Sequence, residues 1–249
     1  MLYCVSFARS CFPQCPARLF TMKFKSLFSF VFGLAFSTLP VSQAAELNPI
    51  QQGQKEFEGG AFWAARNSLT KALELGLQPY TAYLWRGAAN AELKDYSKAL
   101  ADFSSASQLR SKEPEPFRRR AYVFLRQRDY RSATAAFERA AALGPHNYTH
   151  CNSLAWILAT APDASVRNGT RAVSLAKEGC ELTKWKDPSY LDTLAAAYAE
   201  TGKFEEALRW QTKAVEMVDH PPWDRTNARK PLHAHLKLIR NKEPIRDAQ

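Results

Sequence analysis

A period of 34 residues limits what this sequence can fold into. Five columns of small or apolar residues recur at this step. They are Gly53, Gly87, Ala121 and Ala155; Phe62, Tyr96 and Tyr130; Ala65, Ala99 and Ala133; Leu69, Phe103 and Phe137; and Ala72, Ala106 and Ala140. A fixed period of this length is typical of stacked helical repeats, because each repeat buries its apolar face only against its neighbours.

Each column has a definite role in a pair of antiparallel helices. A small residue on the first helix, such as Gly87, is expected to face an Ala on the second, such as Ala99, so that the helices approach closely. The aromatic Tyr96 opens the second helix, and Phe103 follows seven residues later on the same, buried face. Prolines near the unit junctions, at positions 79, 114, 145, 188 and 221, end one helix without damaging the next, because they lack a backbone donor.

These columns resemble the tetratricopeptide repeat family, whose pattern is a small residue in helix A, an aromatic and an Ala in helix B, and Pro at the exit. The resemblance covers roughly residues 46–220. It implies an all-α fold, a right-handed α-solenoid of about five helix hairpins. The segment from Asn152 to Tyr198 resembles a two-repeat module found at the end of many bacterial members of this family.

The fourth unit departs from the period. The counterparts of Ala155 follow it at 39 or 40 residues, and the excess lies in residues 161–169, between the two helices of the unit. Within this insertion Asp163 and Arg167 are four residues apart and are expected to clip the loop through an ion pair or a cap.

A final amphipathic helix is expected from about residue 223 to 240, and residues 221–249 are assigned to this helix and its tail. Leu232, Leu236 and Ile239 lie on one face of it, together with Ala228. The terminal face of a repeat array must be covered, so we interpret this element as a capping helix. A membrane-surface helix would show a similar pattern.

Residues 22–44 have the three-part pattern of a secretory signal. Lys23 and Lys25 precede an apolar core at residues 27–39, and Ser42-Gln43-Ala44 provides small residues at the cleavage site. Residues 1–21 are interpreted as an upstream extension. We therefore expect export to the periplasm or secretion, with cleavage after Ala44, or after Ala45 as the second choice. A membrane anchor is the alternative, but the core is shorter than the roughly 20 apolar residues that a spanning helix needs.

The formal net charge of +10 falls to +6 when residues 1–44 are removed, and much of this excess lies in the third unit. Its six clustered arginines are Arg118, Arg119, Arg120, Arg126, Arg128 and Arg131. Such a run could bind a polyanion, but export argues against nucleic acid. A solvated face paired with Glu115, Asp129 and Glu138 is the favoured interpretation.

The sequence contains no motif that indicates catalysis or a cofactor. A Gly-rich phosphate loop, a nucleophile elbow and a zinc-type Cys pattern are all missing, so we predict a protein that is not an enzyme. His146 and His150 have the spacing of two metal ligands but lack a third, and we predict no metal site.

Cys151 and Cys180 lie on the two helices of the fourth unit. Either they form a disulfide or they pack as small buried residues.

The first helices of the units are expected to form a concave wall. By register, the wall positions are Ile50, Gln54 and Phe57; Thr81, Leu84 and Ala88; Arg118, Tyr122 and Arg126; Asn152, Trp156 and Ala159; and Asp192 and Ala196. Our candidate partner-binding residues are Arg118, Tyr122, Arg126, Asn152, Trp156 and Asp192. Trp156 either packs on the groove floor, with its indole N–H donated to Asp192, or stacks on a partner.

A scaffold that binds a partner protein or peptide in the concave groove is the leading functional hypothesis. The alternative is a structural or self-assembling envelope subunit. The Lys, Asn and Arg constellation with which some family members clamp a terminal carboxylate is not reproduced, so a chaperone-tail receptor is not predicted.

Overall fold

A computed structural model of the chain describes residues 48–144, 148–219 and 226–247. The predicted signal, the upstream extension and the side chains of His146 and His150 lie outside these residues. All regular secondary structure in the described part is helical. The helices are α1 Pro49–Glu58, α2 Phe62–Glu74, α3 Pro79–Glu92, α4 Tyr96–Leu109, α5 Glu115–Arg126, α6 Tyr130–Leu143, α7 Tyr148–Thr160, α8 Gly169–Leu182, α9 Pro188–Glu200, α10 Phe204–Asp219 and α11 Thr226–Arg240.

The helices pack as five successive hairpins, which we call units one to five. Each odd-numbered helix from α1 to α9 packs against the helix that follows it, and α11 packs on α10 and α9. The predicted all-α solenoid of five hairpins with a capping helix is confirmed. None of the helices in the described part of the chain has the length and apolarity that crossing a bilayer requires.

Short polar side chains and prolines start several of the helices. The side chain of Asn48 accepts hydrogen bonds from the backbone N–H groups of Ile50 and Gln51, and Pro49 follows at the first helical position. Asp187 caps α9 in the same way, again with a proline after it. These caps satisfy backbone donors that have no partner within the helix, so the unit boundaries are encoded locally.

The small-residue columns are buried, as the repeat pattern predicts. Ala65, Ala99 and Ala133 are each 0% exposed. One detail differs from our expectation: a Cβ on Gly87 would lie 2.6 Å from the Phe103 ring, so the nearest atoms to this glycine belong to the large residue of the second helix. Gly53 has the same relation to Leu69. The glycines therefore make room for a bulky side chain, which closes the hairpin.

The insertion in unit four is held by Arg167. Its guanidinium donates to the carbonyls of Ala161 and Pro162, and its Nε lies 2.9 Å from a carboxylate oxygen of Glu200 on α9. Of the two expected clips, the cap forms and the ion pair with Arg167 does not: Asp163 accepts hydrogen bonds from the backbone N–H and the hydroxyl of Ser165. The loop is thus tied to the next unit.

Cys151 and Cys180 are both free thiols and both buried. Burial raises the pKa of Cys151 to about 11 and the pKa of Cys180 to about 12. The disulfide that the sequence left open is not formed, and the two residues pack as small apolar groups. Both thiols remain protonated at neutral pH, which makes them poor nucleophiles.

The C-terminal segment returns over the array. Leu232, Leu236 and Ile239 of α11 are buried, as the apolar face of the capping helix predicts. Beyond α11, Ile245 is only 1% exposed and joins the same buried cluster as Ile157 and Ala199. The segment is therefore part of the folded unit and not an appendage.

Candidate functional site

The first helices of the units form one face of the array. Helix α1 contacts α3, α3 contacts α5, and α7 contacts α9. Contacts between successive first helices put these helices on the concave side of a stacked array, where arrays of this kind present their binding surface. We call the face of α1, α3 and α5 the N-terminal half of the concave face, and the face of α7 and α9 its C-terminal half.

Aromatic and guanidinium groups run across the N-terminal half. The ring of Phe57 on α1 meets Trp85 on α3 edge to face, with centroids 5.3 Å apart. The guanidinium carbon of Arg119 on α5 lies 5.6 Å from the centre of the Trp85 ring. Three first helices are thus linked through a single indole, which has one aromatic and one cationic neighbour.

Two further arginines of α5 lie on the same half. Arg126 donates to the carbonyl of Ala91 at 3.0 Å and lies 2.5 Å from the carboxylate of Glu92, which ties α5 to α3. Arg118 lies over the ring of Tyr122, 5.6 Å from its centre. Their guanidinium groups are held in place by acids and rings of the protein itself, which would lower the entropy lost on binding a ligand.

Glu115 organises the start of α5. It accepts from Arg118 at 2.5 Å and from Arg119 at 2.6 Å. Burial acts to raise the pKa of Glu115, but the charges of the two arginines and their hydrogen bonds lower it overall. The carboxylate therefore stays ionised at neutral pH and fixes both cations.

Tyr122 joins the two halves. Its ring stands edge-on to Phe137 at 5.2 Å, and its hydroxyl lies 3.1 Å from the hydroxyl of Ser153 on α7. The side chain is therefore partly a core residue of unit three and partly a contact between first helices.

Helix α11 packs on α10 and α9, and its side chains reach the C-terminal half. Asp192 on α9 is 3% exposed and accepts from Gln211 Nε2 at 2.7 Å, and its Oδ1 lies 2.8 Å from Nδ1 of His235 on α11. The His235 ring also packs on Trp156, with centroids 5.6 Å apart. The capping helix thus reaches the middle of the face that was expected to bind a partner.

The environment of His235 favours its charged form. Burial acts to lower the pKa of His235, but the charge of Asp192, the hydrogen bond to it and the more distant charge of Asp247 raise it overall. His235 and Asp192 therefore form a buried ion pair when the imidazole is protonated.

The six candidate residues divide between the two halves. Arg118, Tyr122 and Arg126 lie on the N-terminal half. Asn152 and Asp192 are buried at 3% exposure each, and Trp156 is half-buried under α11. Several other expected wall positions are core residues with at most 8% exposure, namely Ile50, Leu84, Ala88, Ala159 and Ala196.

Sequence reasoning missed one column of this face. Trp85, Arg119 and Ser153 are 34 residues apart, and each makes a contact between neighbouring first helices. They stand one position after the wall residues that we selected in their units. The repeated step was visible in the sequence, but the rotation of each helix that turns these side chains toward the wall was not.

Three of the six clustered arginines of unit three, Arg118, Arg119 and Arg126, form ion pairs within the protein. Arg118 and Arg119 bind Glu115 as expected, whereas Glu138 pairs with Arg171 and Asp129 caps α6. Among the described residues no group of three His, Cys, Asp or Glu side chains is arranged to hold a metal ion. The arrangement is suited to holding carboxylates and apolar side chains of another chain.

Comparison with known proteins identifies the architecture. Residues 50–114 and 118–165 match the model of the tetratricopeptide repeat family. The chain is 29% identical over 161 residues to an Hsp70-Hsp90 organizing protein of Triticum aestivum. That alignment covers 64% of this chain but 27% of the wheat protein, so this chain spans about a quarter of that relative.

Solved structures share the fold at low sequence identity. MamA of Desulfovibrio magneticus RS-1 is 18% identical with a TM-score of 0.58, covering 68% of this chain and 93% of MamA. YrrB, a TPR protein with an unusual peptide-binding site, is 19% identical with a TM-score of 0.58, covering 76% of this chain and 90% of YrrB. A thermophilic TPR protein of Thermus thermophilus is 18% identical with a TM-score of 0.56, covering 77% of this chain and 98% of that protein.

Proposed function

Because this chain is a tetratricopeptide repeat protein, we propose that it is a non-enzymatic scaffold that holds a segment of a partner protein against the N-terminal half of its concave face. Proteins of this family generally mediate protein–protein interactions and are typically not enzymes. The partner-binding role of this particular face is our proposal.

The observation that carries the proposal is the contact chain formed by Phe57, Trp85 and Arg119 across three first helices. Trp, Tyr and Arg are the side chains most enriched in binding hot spots, because they bury a large area and still offer polar atoms. Here they are fixed by neighbours before any partner binds.

Charge favours an acidic partner segment. Residues 79–144, which include α3 and α5, contain twelve Lys and Arg but seven Asp and Glu. Within the N-terminal half, Arg118, Arg119 and Arg126 share two carboxylates, those of Glu115 and Glu92. One positive charge is left over, which attracts carboxylates at long range.

Site-specific photocrosslinking tests this function. A crosslinking amino acid at position 81, half-buried on the first helix α3, should yield a discrete adduct in the native host. The same amino acid at the exposed position 101 on the second helix α4 is the matched control and should not. Adding Arg119→Glu to the position-81 chain should reduce the adduct about tenfold or more, because it removes the cation from Trp85 and reverses its charge.

Equal adducts from positions 81 and 101 would contradict the proposal, as would an undiminished adduct in an Arg119→Glu chain that retains its wild-type melting temperature. An adduct consisting of two copies of this chain would instead favour the structural, self-assembling function.

We also propose that the chain is exported. The support is the pattern of residues 22–44 described above, with its two lysines, short apolar core and small residues at 42 and 44. Amino-terminal sequencing of protein from the native host should find Ala45 or Glu46 first. An intact Met1 or Met22 on membrane-extracted protein would overturn the proposal.

A further inference from the structure

The chain reverses direction after α11 and crosses the array. Lys242 has a φ of +59° and the backbone N–H of Glu243 donates to the carbonyl of Leu238 at 2.9 Å, a left-handed helix end. Residues 243–247, which we call the tail, then run without regular structure past the ends of α9 and α7 to the start of α6.

Three successive tail residues each meet a different kind of receptor group. Ile245 is buried in the apolar cluster between the units. Arg246 lies 2.7 Å from a carboxylate oxygen of Glu200. Asp247 donates its backbone N–H to the carbonyl of Thr160 at 2.9 Å, and its carboxylate accepts from the hydroxyl of Tyr130 at 2.9 Å.

The receptor groups come from three units and are positioned by contacts of their own. Glu200 uses its other carboxylate oxygen to bind Arg167 of the unit-four insertion at 2.9 Å. The carbonyl of Thr160 belongs to the last turn of α7, where a helix leaves its carbonyls without intrahelical donors. Tyr130 is the first residue of α6. We call this set of groups the tail strip.

We propose that the tail strip is a second peptide-binding site, that the chain's own tail is its resident ligand, and that it accepts from a partner protein an extended segment of the same chemistry. The required segment has an apolar side chain, then a cation, then a carboxylate. The site is separate from the N-terminal half of the concave face, so this inference does not depend on the proposed function.

The way the tail is held allows a partner segment to replace it in the tail strip. A short segment anchored by one apolar side chain and a few polar contacts opens locally much more often than the helices beneath it. A tethered ligand also has a high effective concentration, so a partner segment must compete with it. The tail therefore acts as a competitor that sets the threshold for binding at this strip.

Fluorescence anisotropy with a labelled synthetic peptide matching residues 242–249 tests the proposal on the full chain. Ile245→Asp should release the tail, because a carboxylate cannot enter the apolar cluster. We expect the Ile245→Asp chain to bind the peptide at least about tenfold more tightly than the wild-type chain, whose own tail competes. A peptide carrying the same Ile245→Asp change should not bind.

Two further variants make the test specific. Arg240→Ala, at an exposed position just before the tail, is the control and should match the wild type. Adding Tyr130→Phe to the Ile245→Asp chain should weaken peptide binding, because the donor to the Asp247 carboxylate is lost. If Ile245→Asp lowers the melting temperature, the triple variant Ile245→Ala, Arg246→Ala and Asp247→Ala removes the side-chain contacts of the tail without placing a charge in the apolar cluster.

A tail-released chain with wild-type circular dichroism that fails to bind the peptide would overturn the proposal. Equal affinity of the wild-type, Arg240→Ala and tail-released chains would overturn it as well, because the tail would then not occupy the site that the peptide uses.

Discussion

At the scale of single residues, the most consequential contact is the one between His235 and Asp192. The pair joins residues 43 positions apart in sequence, and it fastens the capping helix to the first helix of unit five. The shared partner Gln211 donates to Asp192 and also to the carbonyl of Leu232 on α11. The Asp192 carboxylate and the amide N–H groups of Gln211 are thus paired with one another and with α11, whereas Oε1 of Gln211 is buried without a hydrogen-bond partner among the described residues.

The raised pKa of His235 predicts a stability that falls as pH increases. Its folded pKa exceeds the ordinary value of 6.5, so the stabilisation is fully present below pH 6.5 and is lost as pH rises through the folded pKa. Urea unfolding at several values between pH 6 and pH 9 should show this loss in the wild type. The His235→Gln chain should lose less stability over the same range.

The matched control for that experiment is His233→Gln. His233 is an exposed histidine two residues away that lies 3.1 Å from Asp219. The His233→Gln chain should retain most of the wild-type pH dependence. A wild-type slope that is unchanged in His235→Gln would mean that other groups control the pH response.

At the scale of elements, the turn between the two helices of a unit has a fixed backbone requirement. Gly60, Lys94 and Arg128 are 34 residues apart, and all have positive φ, at +80°, +63° and +60°. Gly202 in unit five has φ of +76°. A left-handed residue therefore recurs at the same point of these turns, and the chain uses glycine there in units one and five.

This requirement predicts that Gly60→Ala destabilises the protein by about 1 kcal/mol or more, because an L residue is strained in the left-handed region. No atom lies within 4 Å of the added Cβ, so the cost is one of backbone conformation alone. The neighbouring Gly59 has φ of −76° and meets nothing closer than 3.4 Å, which makes Gly59→Ala the control. Gly59→Ala should be neutral or slightly stabilising.

Urea midpoints of the two variants measure the difference. Identical midpoints would show that the left-handed turn is not maintained in solution, and the register of the first hairpin would then need revision.

At the scale of the whole molecule, charge explains why the C-terminal segment lies where it does. Residues 187–219 of unit five contain seven acidic and three basic residues, whereas residues 226–247 contain six basic and two acidic ones. Ion pairs cross this contact from Arg229 to Asp219 and from Arg246 to Glu200. The segment thus covers the most acidic repeat and leaves the more basic units two and three as the attractive surface for an acidic partner.

Because α11 packs against the ring of Trp156, we predict that Trp156 is a structural residue. Its ring packs on His235, so Trp156→Ala should lower the free energy of unfolding by about 2 kcal/mol or more, as expected when a large packed ring is removed. Crosslinking from position 81 should be unaffected. Trp63→Ala is the control, because Trp63 is 62% exposed and should cost about 0.5 kcal/mol or less.

Chemical unfolding of both variants, with hydrogen exchange of α11, provides the measurement. A Trp156→Ala chain of wild-type stability that no longer crosslinks to its partner would show instead that this indole contacts the partner.

The hairpins and their register could be predicted from the amino-acid sequence alone. The columns through Ala65 and Leu69 recur because each helix pair must bring a small residue against a neighbour and bury one large residue in every unit. Caps and prolines such as Asn48 and Pro49 fix the helix starts through interactions within a few residues. Because such features are local and periodic, they can be predicted from the sequence.

Which part of the concave face α11 reaches could not be predicted from the sequence and follows from the packing of the helices. The hydrogen bond between Tyr130 and Asp247 joins residues 117 positions apart, and the partner of Arg167 proved to be Glu200, 33 residues away, in place of the nearby Asp163. No period relates these residues, because α11 and the tail occur once and lie outside the repeat. Their positions depend on the summed curvature of five hairpins and on which charges that curvature brings together.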